Sequence, residues 1–217
     1  MSHENFLRHP KLGWLAIIGP IYALGSIAVS ILLSPWFHWR TNAISDLGVH
    51  PVAPIFNISL IVCGILCAIF SLGVILRLKS WVGKLGMGTM FLACISLVGI
   101  GVFTEDYSPT HFQFSVAFFV LLLLAALILS PYFLLKRKTC FLGLCGLGVV
   151  LVGIFGWAYF FAVGWGPGIA IPEALTFVPA GLWIILLGLW ALRKDKTVNY
   201  QPIKGLAFAA RAGSSHE

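Results

Sequence analysis

Six long apolar stretches, separated by short polar connections, run along almost the whole chain. Each stretch is continuously apolar, whereas a half-buried β-strand would alternate apolar and polar side chains. A helix needs roughly 20 apolar residues to cross the hydrocarbon core of a bilayer, and each stretch has about this length. The pattern therefore predicts six transmembrane helices, at Gly13–Ser34, Ala53–Leu76, Leu85–Phe103, Phe112–Leu135, Cys140–Val163 and Ile169–Leu192.

The composition agrees with a membrane protein and excludes a soluble one. Apolar residues make up 59% of the chain and charged residues 10%, and the mean hydropathy is +0.98. A transmembrane β-barrel is also excluded, because its strands would alternate with a period of two residues. We therefore predict an all-α polytopic membrane protein with six helices in three hairpins. One membrane domain is expected at residues 1–196, followed by a polar, flexible cytoplasmic tail at 197–217.

The basic residues predict the orientation of this domain, since lysine and arginine favour cytoplasmic loops. Thirteen of the 14 lie in the N-terminal arm, the second and fourth loops, and the C-terminal tail. Only Arg40 falls in a loop on the opposite side. Both termini are therefore expected in the cytoplasm of a multi-pass protein of the cell membrane. Because orientation accounts for the positive charge, and no reading helix or aromatic-basic platform is present, we expect no nucleic-acid partner.

The loops on the predicted outer side carry a concentration of polar side chains. Four of the seven carboxylates in the chain and three of the six histidines are expected there. These residues are Asp46, Glu105, Asp106 and Glu173, together with His38, His50 and His111. The orientation rule leaves an outer face close to neutral, so this density needs an explanation of its own.

Three explanations of the outer polar residues compete. In the first, they only stabilise helix N-termini, with Ser108 capping the fourth helix. In the second, they surround an outward-facing pocket for a lipid or amphiphile, whose walls continue inward through Asn57, Gln113, Ser115 and Thr176. A divalent metal at this face is compatible with the carboxylate and imidazole groups. In the third, the protein transports a small solute or ion, although the middle turns of the six stretches carry no charge.

The pocket hypothesis assigns roles to individual residues. Asp46 and Glu105 would be the central acids and His111 a base or ligand, and these three are the candidate catalytic residues. The candidate binding residues are Arg40, Asn42, Ser45, Asn57, Asp106 and Glu173. Among them, Arg40 would contact a phosphate or carboxylate of the headgroup, and Asn57 would orient its neighbours. Whether the protein is an enzyme, or a scaffold without catalytic activity, is left open by the sequence.

One set of motifs resembles a known family. The stretch Asn42-x-x-Ser45-Asp46-Leu47-Gly48 follows the first helix, Asn57 lies in the second, and Phe103-x-Glu105-Asp106 with His111 precedes the fourth. This arrangement resembles the prokaryotic family known as domain of unknown function 998. The six-helix layout is similar to that of the eukaryotic DRAM and Sfk membrane proteins. The resemblance implies a membrane protein concerned with lipids, and it transfers no established catalytic residue.

Overall fold

The computed structural model describes residues 9–193, and the predicted polar tail at 197–217 lies outside them. This part of the chain contains six long helices, which we number α1 to α6. Their bounds are Leu15–Leu32, Ala53–Arg77, Trp81–Val102, Thr110–Leu134, Cys140–Ala162 and Ala170–Arg193. All six are long and apolar enough to cross a membrane. The prediction of an all-α protein with six spans is therefore confirmed.

Local hydrogen bonds and turns determine where some of the helices begin. The third helix begins four residues before its predicted start, because the side chain of Ser80 accepts a hydrogen bond from Gly83 N and caps it. A short 3-10 helix, Pro10–Trp14, leads directly into α1. The prediction that Ser108 caps α4 is wrong, since the residue at the cap is Pro109 and no side chain makes a capping hydrogen bond there.

The helices form a closed ring. Each helix packs against the next one in the chain, and α1 packs against α6 to complete the circle. Glycines allow close approach where two backbones meet, as lipid-embedded helices require. A Cβ on Gly64 of α2 would come within 2.7 Å of the carbonyl oxygen of Cys94 in α3. A Cβ on Gly13 would likewise come within 2.5 Å of the carbonyl oxygen of Gly188 in α6.

The two ends of the ring differ in charge. At one end lie two short 3-10 helices, Ile44–Gly48 between α1 and α2 and Glu105–Tyr107 between α3 and α4. All four carboxylates of the described residues, Asp46, Glu105, Asp106 and Glu173, are at this end, which we call the acidic end. The α2–α3 and α4–α5 connections and the last residue of α6 form the opposite, basic end. The side of the membrane on which each end lies stays a prediction.

Candidate functional site

The connection from α1 to α2 is built around its 3-10 helix, Ile44–Gly48. The side chain of Asp46 folds back onto the start of this helix, where Oδ2 accepts hydrogen bonds from Ala43 N at 3.1 Å and Asn42 Nδ2 at 2.6 Å. Asn42 Oδ1 in turn accepts from His38 N at 2.9 Å. The Asp46 carboxylate therefore has a structural role at the helix start, and its hydrogen-bond partners fix its position.

The same connection is fastened to the segment that enters α6. Gly168 N donates to Arg40 O at 2.9 Å, and Ala170 N donates to Asn42 O at 3.0 Å. The two backbones lie so close that a Cβ on Gly168 would overlap the backbone of Asn42. Only glycine fits at this position, and the contact holds the first connection against the start of α6.

Glu173, in the first turn of α6, is the most deeply buried carboxylate at the acidic end, with 5% of its surface exposed. Its Oε2 accepts a hydrogen bond from Ile44 N at 2.7 Å, across 129 residues of sequence. Burying a carboxyl group is costly unless it is hydrogen-bonded, and the backbone N–H offsets part of that cost. The side chain therefore joins α6 to the 3-10 helix Ile44–Gly48 in the interior of the protein.

Glu105, in the second 3-10 helix, meets the first connection from the opposite side. Ser45 Oγ donates a hydrogen bond to Glu105 Oε1 at 2.5 Å. Burial raises the pKa of Glu105 above its ordinary value, and the nearby Asp46 carboxyl group raises it further. The Ser45 hydroxyl and the charge of His111 oppose this increase in the pKa. Glu105 is therefore a carboxyl group that retains its proton to a higher pH than an exposed glutamate.

Three carboxyl groups converge at this point. The carboxyl groups of Asp46 and Glu105 lie close enough to interact electrostatically, and Glu173 lies within electrostatic range of both. We call Asp46, Glu105 and Glu173 the acidic cluster. The fold thus brings together residues that are separated by up to 127 positions, the difference between 46 and 173.

His111 lies beside the acidic cluster in the first turn of α4, with 8% of its surface exposed. Its Nδ1 is 2.7 Å from the carbonyl oxygen of Phe103. Because a carbonyl oxygen only accepts hydrogen bonds, Nδ1 carries the hydrogen and donates it. The second ring nitrogen, Nε2, is the atom that remains for acid–base chemistry or ligand contact.

The other predicted site residues differ in their burial. Asn57 is half-buried, and its Nδ2 donates to Gly48 O at 2.9 Å, so it holds the end of the 3-10 helix. The side chains of Arg40 and Asp106 are exposed. Of the residues expected to continue the pocket inward, Ser115 lines a cavity, whereas Gln113 is exposed.

Thr176, the last of these predicted pocket residues, is fully buried between neighbouring helices. Its hydroxyl donates to Pro172 O at 2.9 Å and accepts from Trp157 Nε1 at 3.1 Å. The contact with Trp157 joins α5 to α6, and the contact with Pro172 lies within α6, so Thr176 serves helix packing.

A cavity of about 100 Å³ extends from the acidic cluster into the centre of the ring. Ser45 and Glu173 line the cavity at the acidic end. Its other walls are almost entirely apolar side chains of α1, α2, α3, α4 and α6. Cys67 of α2 also lines it, and a helical rise of about 1.5 Å per residue places this residue roughly 20 Å from the start of α2. The central cavity therefore reaches from the acidic end to about the middle of the ring.

The central cavity exists because several positions where the helices face each other carry small side chains. Ala23 of α1, Ala93 of α3 and Ala180 of α6 all line it. The sequence alone does not single out these residues, because alanine in an apolar helix is equally compatible with tight packing. Only the closed ring reveals that these alanines face the same space.

The divalent metal that the sequence allows at this face has no prepared site in the described residues. Within residues 9–193, no group of three or more histidine, cysteine, aspartate or glutamate side chains is arranged to hold a metal ion. One donor atom of each of two candidate ligands, Oδ2 of Asp46 and Nδ1 of His111, is already engaged in a hydrogen bond to the backbone.

A family model described as "Protein of unknown function (DUF998)" matches residues 17–190, which extend from α1 to α6. No curated protein matches the chain, and no solved structure does.

Proposed function

The chain belongs to the DUF998 family of proteins of unknown function, and from this premise we propose that it binds a membrane amphiphile, with the apolar chain in the central cavity and the headgroup at the acidic cluster. As an integral membrane protein it has direct access to such molecules. We further propose that it lies in the cell membrane with its acidic end outward, as its basic residues predict.

The central cavity supports the apolar half of this proposal. Its walls are side chains such as Ile27, Leu60, Phe118 and Phe177, and a dry apolar cavity of this kind accepts hydrocarbon in preference to water. A volume of about 100 Å³ holds only a short segment of one hydrocarbon chain, and neither a pair of chains nor a rigid ring system fits in it. The occupant that fits best is therefore a single-chain amphiphile, or one chain of a larger lipid.

The acidic cluster supports the polar half. Carboxyl groups accept hydrogen bonds and, when ionised, attract cations. A headgroup with amino or hydroxyl groups is therefore complementary to the acidic cluster, in which Glu173 lines the central cavity and Asp46 and Glu105 lie close to Glu173. The exposed Arg40 is available nearby for a phosphate or carboxylate, and this role stays a prediction from the sequence.

The observation that carries the proposal is the continuity of the two halves. Glu173 belongs to the acidic cluster and also lines the central cavity. Ser45, which donates a hydrogen bond to Glu105, lines the cavity as well. A scaffold does not require an apolar cavity that adjoins a cluster of carboxyl groups. A transporter requires a polar path through the membrane, and the inner walls of the central cavity are apolar. Chemical processing of the ligand by Asp46, Glu105 and His111 stays a prediction.

A pair of substitutions in α1 tests the proposal. Ala23 lines the central cavity, whereas Ala28, on the same helix, is exposed on the outer surface of the ring. Ala23→Leu fills the cavity, and Ala28→Leu adds the same side chain outside it. We expect native mass spectrometry of the protein extracted with its membrane lipids to detect a bound amphiphile in the parent and in Ala28→Leu, and to detect none in Ala23→Leu.

Glu173→Gln tests the headgroup. Replacing the carboxyl group by an amide of the same size should weaken binding of hexadecylamine, a single-chain amine, but leave binding of hexadecanol nearly unchanged. If Ala23→Leu retains the amphiphile as well as Ala28→Leu does, the central cavity is not the binding site and the proposal is wrong.

A further inference from the structure

A second cavity lies at the basic end of the ring, on the opposite side of the protein from the acidic cluster. Its volume is about 750 Å³, and it is bounded by the α4–α5 connection, the start of α5 and the end of α6. Four basic residues line it: Lys136, Arg137, Lys138 and Arg193. We call it the basic cavity. It shares no lining residue with the central cavity, and nothing in the proposed function uses it.

The basic residues are brought together by the tight connection between α4 and α5. The hydroxyl of Thr139 donates to Phe133 O at 2.9 Å and so stabilises the turn that follows α4. Three consecutive basic residues therefore project from one turn, and α6 packs against α5 so that Arg193 reaches the same space. The ammonium group of Lys136 lies 3.7 Å above the ring of Tyr132, which holds this residue in place.

This concentration of positive charge lacks an acidic counterpart in the described residues. All four carboxylates of residues 9–193 lie at the acidic end, on the far side of the membrane-spanning helices. Like charges held close together repel one another, and a bound anion relieves that repulsion. The start of α5 at Cys140 adds the positive end of a helix dipole beside the same cavity.

The remaining walls of the basic cavity are apolar. Leu186, Leu189 and Trp190 of α6 form one side, and Phe141 and Leu142 of α5 form the other. A soluble anion makes no use of such walls, whereas the glycerol and upper acyl chains of a lipid do. Basic pockets between transmembrane helices are typical sites for acidic lipid headgroups.

We propose that the basic cavity binds an anionic phospholipid, with its phosphate against Lys138, Arg193 and their basic neighbours and its acyl chains along the apolar walls. This site is separate from the proposed amphiphile site in residues, in charge and in position along the helices. Its ligand is distinguished from the first by its negative charge.

The test uses the full-length protein in detergent, titrated with phosphatidylglycerol or phosphatidylcholine and observed by native mass spectrometry. We expect phosphatidylglycerol to bind more tightly than phosphatidylcholine. The double variant Lys138→Gln/Arg193→Gln should lose roughly ten- to thirty-fold in affinity for phosphatidylglycerol, since each basic residue contributes a comparable share of the attraction. Both side chains are exposed, so neither substitution removes a packed group.

A matched control removes the same charge elsewhere at the basic end. Lys79 and Lys84 lie in and beside the α2–α3 connection, are exposed, and do not line the basic cavity. Lys79→Gln/Lys84→Gln should keep the affinity of the parent. An equal loss in both double variants would mean that net charge alone attracts the lipid, and the proposal would be wrong.

Inorganic phosphate and glycerol 3-phosphate separate a lipid site from a site for a soluble anion. At millimolar concentration neither should displace phosphatidylglycerol if the apolar walls contribute. Displacement by either anion, or equal binding of the two phospholipids by the parent, would overturn the proposal. This test measures binding of an anionic lipid at the basic cavity, and the test of the amphiphile site uses Ala23→Leu, which leaves the basic cavity intact. A negative result for phosphatidylglycerol would therefore not contradict the proposed amphiphile site.

Discussion

At the scale of single residues, Glu105 couples the acidic cluster to pH. Its pKa is raised mainly by burial, so the folded protein binds this proton more tightly than the unfolded chain. The free energy of unfolding therefore falls as the pH rises from the ordinary glutamate pKa of about 4.3 through the higher pKa of the folded state. Glu105→Gln removes this contribution and still accepts the hydrogen bond from Ser45. We expect its advantage in melting temperature over the parent to grow from pH 4 to pH 7.

The neighbouring carboxylate supplies the control for this pH dependence. Asp106 follows Glu105 directly but is exposed, so Asp106→Asn should leave the pH profile of the melting temperature close to that of the parent. Thermal unfolding in detergent at several pH values measures all three proteins. Parallel profiles for the parent and Glu105→Gln would contradict the assignment of a raised pKa to Glu105.

The candidate site could be predicted at this scale only in part. Asp46, Glu105 and Glu173 could be identified because each lies close to the predicted start of a helix, and the predicted topology places all three starts on one side of the membrane. Their separate contacts could not be predicted. The hydrogen bond from Ile44 N to Glu173 joins positions 129 residues apart, and it depends on how the ring closes. The helical pattern likewise could not reveal that Gln113 is exposed whereas Ser115 lines the central cavity.

At the scale of elements, the contact between the first connection and the start of α6 depends on Gly168. A Cβ at this position would overlap the backbone of Thr41 and Asn42. Gly168→Ala should therefore push the two segments apart and weaken the hydrogen bond between Ile44 and Glu173. We expect the free energy of unfolding to fall by about 2 kcal/mol, in the range typical of overpacking. Thermal unfolding of the purified variant measures the loss.

Gly88 in α3 is the matched control for this substitution. A Cβ on Gly88 would meet no atom within 4 Å, and alanine is favoured over glycine inside a helix by about 0.5–1 kcal/mol. Gly88→Ala should therefore be neutral or slightly stabilising. A Gly168→Ala variant as stable as Gly88→Ala would mean that the two connections are not held together in the way described.

The helices themselves could be predicted within a few residues, because each has to bury a long apolar stretch in lipid. The predicted starts at Ala53 and Cys140 agree with α2 and α5. The bounds of the short 3-10 helices could not be predicted, since Ile44–Gly48 depends on the Asp46 side chain folding back onto Ala43 N. The ring order and both cavities depend on contacts between helices, which the apolar pattern of each helix does not encode.

At the scale of the whole molecule, the separation of charge between the two ends makes the orientation testable. The six spans place the two ends of the described residues, His9 and Arg193, on one side, and the basic residues predict that this side is the cytoplasm. His38 and Lys79 are both exposed, at the acidic and the basic end respectively. In intact cells, a membrane-impermeant maleimide should label a His38→Cys variant, whereas a Lys79→Cys variant should react only after the cells are permeabilised. The parent is the control, because its five cysteines all lie within the helices. Labelling of Lys79→Cys alone in intact cells would reverse the orientation, place the acidic cluster at the cytoplasmic face and require the proposed amphiphile to come from the inner leaflet.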